Sequence, residues 1–315
     1  MKIILLLSIA VLLNIPVIAQ NGAVLKMNLE KNKVYRLKSV SEQTITQTIN
    51  GNQQTVDSRI DYTISMKMID ATADFMIAEI HFDTLTTNTN SMGKNISFSS
   101  TIEGNIKSSE MNDVMSCIMN RLSRNTVYVK MDFTGRPLEI VNAKMLADMI
   151  LKDTSSISLT GPTASAIKKQ VAETVSADNL KTIIGSFTWQ LPGNEVSPGG
   201  SWNLTQQITS GGMVLDIKTI YHLDGIKDNK AVIKAESNIK AAENAVPIQS
   251  GGATVTYDNL QGLSKSNLVI DINTGLVVEN KAETYISGDL GISGPGFSMQ
   301  MPMDIKGESK VRALQ

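Results

Sequence analysis

The chain has 315 residues, too many for one small domain, and its 42% apolar content is enough for a sizeable core. Basic (29) and acidic (30) side chains nearly cancel, which excludes a global field for nucleic acid or anionic membrane. A single cysteine, Cys117, excludes an intrachain disulfide and a cysteine-based zinc cluster.

The N-terminus carries a strong local signal. Met1-Lys2 precedes the apolar run Ile3 to Val17, and Val17-Ile18-Ala19 places small residues before Gln20. The run is short and interrupted by Asn14 and Pro16, so residues 1–19 read as a signal peptide rather than a membrane anchor. No cysteine follows the cleavage point, so a lipoprotein anchor is not indicated. The expectation is an exported, soluble protein, periplasmic or extracellular, and not an integral membrane protein.

From Val24 to Phe133 the pattern has period two. Val56, Ser58, Ile60, Tyr62, Ile64, Met66 and Met68 alternate with Asp57, Arg59, Asp61, Thr63, Ser65 and Lys67, the habit of an antiparallel strand with one buried face. Asn50-Gly51 is a favoured hairpin turn. Met76, Ala78, Ile80 and Phe82 mark a further strand, followed by a polar stretch from Thr84 to Met92 and weaker alternation from Ile96 to Ile106. Glu110 to Arg121 reads as a short helix bearing Val114, Cys117 and Ile118, and Val127, Val129, Met131 and Phe133 as another strand.

Asn142 to about Phe187 is the one long helical island. Asn142 is the expected N-cap, with Met145, Leu146, Met149 and Ile150 at helical spacing behind it. Pro162 can open a second helix through Ile167, Val171 and Val175, and Leu180, Ile183, Ile184 and Phe187 continue the spacing. Strands resume at Trp202, including Met213 to Asp224, Val255 and Tyr257, and Leu268 to Ile272. A last strand has Met299, Met301, Met303 and Ile305 on one side, and Pro302 inside it favours an edge position. The division is an N-terminal β half (20–141), a central helical insert (142–191) and a C-terminal β half (192–315). Two correspondences suggest an internal duplication: Ile64–Ile77 with Ile220–Ile233, and Val129–Lys144 with Val269–Lys281. The fold class is α+β and β-rich, a large antiparallel sheet in two meander halves with helices packed on it.

Four motifs carry a family resemblance: Asn28 to Tyr35, Thr134-Gly135-Arg136-Pro137-Leu138-Glu139-Ile140, Pro192-x-x-x-Val196-x-x-x-Gly200-Ser201-Trp202, and Thr274 to Glu279. In that order they resemble a family of exported Bacteroidota proteins of unknown function, over nearly the whole mature chain. The resemblance implies a strongly curved antiparallel sheet with helices against it, and no established activity. That family often has Asp beside Gly-Ser-Trp, where this chain has Gly199-Gly200.

No catalytic set stands out. His81 and His222 are the only possible triad bases, and Gly185-Ser186 and Gly200-Ser201 lack the nucleophile-elbow pattern. Asp70 to Asp74 and Asp224 to Asp228 read as hairpin turns rather than calcium loops. No metal or cofactor is expected. The binding hypothesis is an apolar, lipid-like ligand between sheet and helices, touching Met66, Met68, Met145, Leu146, Met149, Ile150, Met299, Met301 and Met303. The alternative is an interaction protein with a dry core that offers polar strand surfaces (Thr44, Thr46, Gln47 and Thr48; Gln206, Gln207 and Thr209) to an envelope partner or polysaccharide. An enzyme is the third class.

Overall fold

The computed structural model describes residues 22–49, 51–91, 93–157, 168, 171–210, 213–243, 245–250 and 253–314. The signal-peptide reading of 1–19, the hairpin residue Asn50, and Pro162 and Ile167 of the second expected helix fall outside them.

Thirteen of the described strands form one curved, unclosed antiparallel sheet. Its first group is β2 (Val34–Ile49), β3 (Asn52–Ala71), β4 (Met76–Ser91), β5 (Lys94–Ser99), β6 (Val127–Met131) and β7 (Pro137–Ile140). The second is β9 (Ser201–Ser210), β10 (Met213–Lys227), β11 (Lys230–Ala241), β12 (Ile248–Ser250), β13 (Ala253–Asp271), β14 (Val277–Gly294) and β15 (Phe297–Leu314). The order across the sheet is β7-β6-β4-β3-β2-β15-β14-β13-β11-β10-β9, with β5 on β4 and β12 on β13. The two halves are therefore joined at the middle by β2 and β15, and the helical insert connects the two outer edges.

The described helices include α1 (Met111–Ser123), α2 (Ala143–Ile150) and α3 (Ala177–Thr188). Ser176 caps α3, its hydroxyl accepting from the Asn179 N–H at 3.2 Å. Asn142 precedes α2, but its side chain does not cap the helix. Its Oδ1 accepts from Tyr128 N at 2.9 Å and its Nδ2 donates to Thr126 O at 2.8 Å, so it ties the helix start to β6. The insert is also broken at Val175, between a helical turn at 171–174 and α3.

A strap from β1 (Ala23–Val24) onward crosses the end of the sheet, β1 pairing with β8 (Glu195–Val196). Leu25 N donates to Asn194 O, Met27 N to Phe133 O and Asn28 N to Thr274 O, at 3.1, 2.7 and 2.9 Å. Leu25, Met27 and Leu29 are buried. The strap thus touches both Thr-Gly turns of the family motifs. Gly135 and Gly275 each have positive φ (84° and 73°), and a Cβ on them would lie 2.1 Å from Thr188 O and 2.3 Å from Lys26 O. In both turns an aspartate side chain two or three residues earlier, Asp132 or Asp271, accepts from the threonine N–H.

The turn chemistry recurs in the two halves, whereas the proposed strand match does not keep its faces. Ile64 is fully buried and its counterpart Ile220 is 57% exposed. A one-residue slip moves every side chain to the opposite face. Two further expectations change. The polar stretch Thr84–Ser91 is the outer half of β4, held by backbone pairing to β3 and β5, where distance from the core removes any need for apolar alternation. β15 is central rather than an edge. Pro302 is tolerated because the ladder to β2 ends at Met303, leaving one flank of the strand open there.

One face of the sheet bears two separate apolar clusters. The larger gathers Ile64, Met66, Phe82, Ile233 and Leu268 with Leu146 and Ile150 of α2, Leu180, Ile184 and Phe187 of α3, and the strap. The smaller, toward the other strand ends, contains Met213, Leu215, Ile239, Leu260, Ile286, Met303 and Ile305. Between them, on the same face, the register lines up small residues: Ala235–Ser266–Ala282–Ser309–Ser41 and Thr219–Ser237–Ser264–Thr284–Gly307. Hydroxyl pairs Thr219–Ser237 and Ser264–Thr284, both at 2.8 Å, run along this waist.

Candidate functional site

Directly behind the waist lies a trough of about 960 Å³ spanning β13, β14, β15, β2, β3, β4 and β5. Its floor is two rows of outward residues fixed by strand register. One runs Lys265–Glu283–Glu308–Glu42–Arg59–Asn88 and the other Leu263–Tyr285–Lys306–Thr44–Asp57–Asn90–Asn95. Close approach of β13 and β14 depends on Gly262, where a Cβ would lie 2.4 Å from the Tyr285 carbonyl oxygen.

Glu283, Glu308 and Glu42 face one another on adjacent strands, an arrangement that is unfavourable for like charges. Arg59 relieves one end, bonding Glu42 and, at 2.9 Å, Asp61. These contacts, Asp61 foremost, raise the Arg59 pKa above its ordinary value. Lys310 lies 3.9 Å from Glu308, and Lys265 reaches Glu236 at 3.7 Å. Thr44 donates to Asp57 at 2.7 Å, and the Tyr285 hydroxyl donates to Asp304 at 2.7 Å, which raises the Tyr285 pKa. That bond fixes an aromatic ring that remains 47% exposed, with Leu263 (58% exposed) on the neighbouring strand. The trough therefore offers an apolar wall at one end, amides at the other, and charges of both signs between.

The nine residues of the apolar-ligand hypothesis do not meet in one groove. Met66, Leu146 and Ile150 are buried in the larger cluster, with Met68 partly buried against it. Met301 and Met303 are buried near the opposite strand ends, Met303 within the smaller cluster, and Met299 is half-buried on the same face. Met145 and Met149 point outward, 51% and 47% exposed, because an eight-residue helix with Leu146 and Ile150 against the core turns the preceding positions to solvent. With Val141, Asn142, Lys144 and Asp148 they line a shallow concavity of about 450 Å³.

A Ser-His-Asp trio does occur at the sheet edge. Ser201 Oγ lies 3.0 Å from His222 Nδ1, and His222 Nε2 lies 3.7 Å from Asp224, which is held by Lys234 at 2.7 Å. Ser201 and His222 are direct cross-strand partners on an exposed surface. The nearby N–H groups of Gly199, Gly200 and Leu223 all donate to backbone carbonyls, so they are not available to an oxyanion. The geometry is that of a cross-strand polar pair. Behind it, Trp202 stacks on Tyr221 with ring centres 5.2 Å apart, and burial pushes the Tyr221 hydroxyl up to about 12. Among the described residues, no group of three or more His, Cys, Asp or Glu side chains could hold a metal ion, and no helix is long and apolar enough to cross a membrane.

Sequence reasoning placed Thr44 on a polar binding surface but missed the residues around it. The outward half of the Val56–Met68 alternation already contained Asp57 and Arg59. Their gathering with Tyr285 and Lys306 depends on β2 pairing with β15, which no local pattern encodes.

The family described as "Family of unknown function (DUF6263)" matches residues 73–277. No curated protein matches the chain. Among solved structures, similarity is found to the COG4313 outer membrane channel from Pseudomonas putida F1 (8% identity, 91% of this chain and 97% of that chain, TM-score 0.27). Pseudomonas aeruginosa OccK7 (OpdD) follows at 7% identity, 90% and 99% coverage and TM-score 0.24, and OpdQ of the same organism at 7%, 90%, 99% and 0.23. Likeness at these scores carries no argument about fold or function.

Proposed function

The chain belongs to that family of unknown function, and from this premise we propose that it is a non-catalytic binding protein whose outer trough holds a hydroxyl-rich polymer such as an envelope polysaccharide. The observation that carries this reading is the pairing of an exposed, hydrogen-bonded Tyr285 ring with Asn88, Asn90 and Asn95 across one concavity. A sugar presents an apolar face of C–H groups and an edge of hydroxyls. An aromatic wall suits the first, and amides, carboxylates and a lysine suit the second. The volume lies within the range of small-molecule sites, and the open shape admits a chain that continues beyond it. The signal-peptide reading of residues 1–19, and the resemblance of the four motifs to exported Bacteroidota proteins, support a place in the cell envelope or outside the cell.

The test is binding of the purified protein to envelope polysaccharide fractions and a glycan library. Wild type retains a defined glycan, and Tyr285→Ala weakens it about tenfold, or about 1.4 kcal/mol. Absence of any glycan that wild type binds better than the Tyr285→Ala and Asn90→Ala variants overturns the reading.

A second reading keeps the apolar ligand but moves it. The exposed thioethers of Met145 and Met149, beside Val141, offer an adaptable apolar surface outside the core. Lipid that copurifies with wild type and is lost from a Met145→Gln/Met149→Gln variant, read by native mass spectrometry, supports it; equal occupancy in both removes it.

A further inference from the structure

The two ends of the sheet are finished differently. At one end β7 has four residues, starts with Pro137, carries Glu139 and lies under α3. Short length, proline, charge and a covering helix are the usual means of blocking an edge. At the other end β9 reads Ser-Trp-Asn-Leu-Thr-Gln-Gln-Ile-Thr-Ser, ten residues without a charge, proline or glycine. It pairs with β10 on one side, and no described strand pairs with the other. At its Trp202 end the indole N–H donates to Gln190 O at 3.1 Å. An open, uncharged edge of this length is a template for another strand.

We propose that β9 is a dimerisation edge, pairing antiparallel with β9 of a second copy of this chain about a two-fold axis near Gln206. The side chains suit self-pairing. Trp202, Leu204, Gln206 and Ile208 are half-buried on the core side, and Asn203, Thr205, Gln207 and Thr209 are exposed on the other. A continuous sheet requires like faces to meet. With Gln206 opposite its own copy, Leu204 falls opposite Ile208 twice, Thr205 opposite Gln207 and Asn203 opposite Thr209. Apolar meets apolar, amide meets hydroxyl, and no charge is brought in. The pairing also closes. The joined sheet ends in two copies of β7, both blocked, so association stops at two rather than propagating into a fibre. This selects a second copy over an open-ended assembly, and it is independent of the trough reading.

The test uses the full chain with three variants. Light scattering coupled to size exclusion gives twice the chain mass for wild type. Asn203→Lys/Thr205→Lys, which sets like charges near the axis, gives the single mass with an unchanged far-ultraviolet spectrum. Gln206→Cys becomes a covalent dimer under mild oxidation, because directly opposed strand residues lie within disulfide reach. Asn203→Cys does not, and the natural Cys117 is buried. A monomeric wild type, a dimer indifferent to the lysine pair, or equal cross-linking at both cysteine positions overturns the proposal. A wild type that is monomeric alone and binds only an extended foreign peptide at β9 also overturns it.

Discussion

Glu79 lies between Lys67 and His81 on the outer surface of β3 and β4. Lys67 Nζ is 2.9 Å from one carboxylate oxygen and His81 Nε2 is 3.1 Å from the other, with the Thr126 hydroxyl also 3.1 Å from the histidine. The bond from Lys67, then that from His81, holds the carboxylate pKa below its ordinary value. A depressed pKa contributes stability that is present above the unfolded value of 4.5 and lost as pH falls through the folded one. Glu79→Gln should therefore lower the urea midpoint near pH 7 by up to about 1 kcal/mol of stability, and the gap to wild type should close as pH is taken below 4.5. A gap that persists unchanged in acid would show that the glutamate acts by packing. At this scale the sequence was partly readable. His81 was expected on a polar face, where it is, but its contact with Thr126, just ahead of β6, could not be named before strand order was known.

The helix α2 shows what a short amphipathic element can and cannot reveal. Met145, Leu146, Met149 and Ile150 form two adjacent four-residue steps, and spacing alone cannot say which step faces the core. Only Leu146 and Ile150 do. The helix is held from outside its own sequence: the Arg121 guanidinium of α1 donates to Ile150 O at 2.8 Å and Lys152 O at 2.6 Å, satisfying carbonyls at the α2 C-terminus. Arg121→Met removes both charge-assisted bonds and should cost about 2 kcal/mol in urea unfolding, with hydrogen exchange in α2 accelerated more than in α3. Uniform acceleration would mean that the arginine supports the whole fold rather than this end. Individual strands were legible wherever one side met the core, as in Met76 to Phe82. The outer half of β4 was not, because beyond buried Leu85 both of its faces carry polar, mostly half-buried side chains.

Across the molecule, composition and alternation disclosed a β-rich antiparallel fold, and the family resemblance implied its curvature, but neither disclosed the strand order. Pairing depends on register between strands far apart in the chain, and register is set by the packed faces rather than by any one strand. The trough inherits that obscurity, since its walls come from both halves. The same order makes one cooperative unit of what reads as two halves. Urea unfolding followed by tryptophan fluorescence and by far-ultraviolet circular dichroism should give one coincident transition; two separated transitions would make the halves independent folding units. The placement of charge is also telling. Glu42, Arg59, Lys265, Glu283 and Glu308 occupy mid-strand outward positions, where a lipid-facing barrel carries an apolar band and pays about 2–4 kcal/mol for each midplane arginine or lysine. The buried apolar clusters lie on the opposite face.

The position of β15 bears on how the chain assembles in time. Arg36 pairs with Leu314, and Met303 with Gln47, so the central seam of the sheet joins the first long strand to the last. A polypeptide emerging N-terminus first displays β2 with one flank bare until its final eighteen-residue strand arrives. Contacts between such distant segments must overcome the entropy of a very long loop, which makes them late and slow. Completion is therefore a single closing event, and a chain stopped shortly before Phe297 would present two raw sheet edges at its centre.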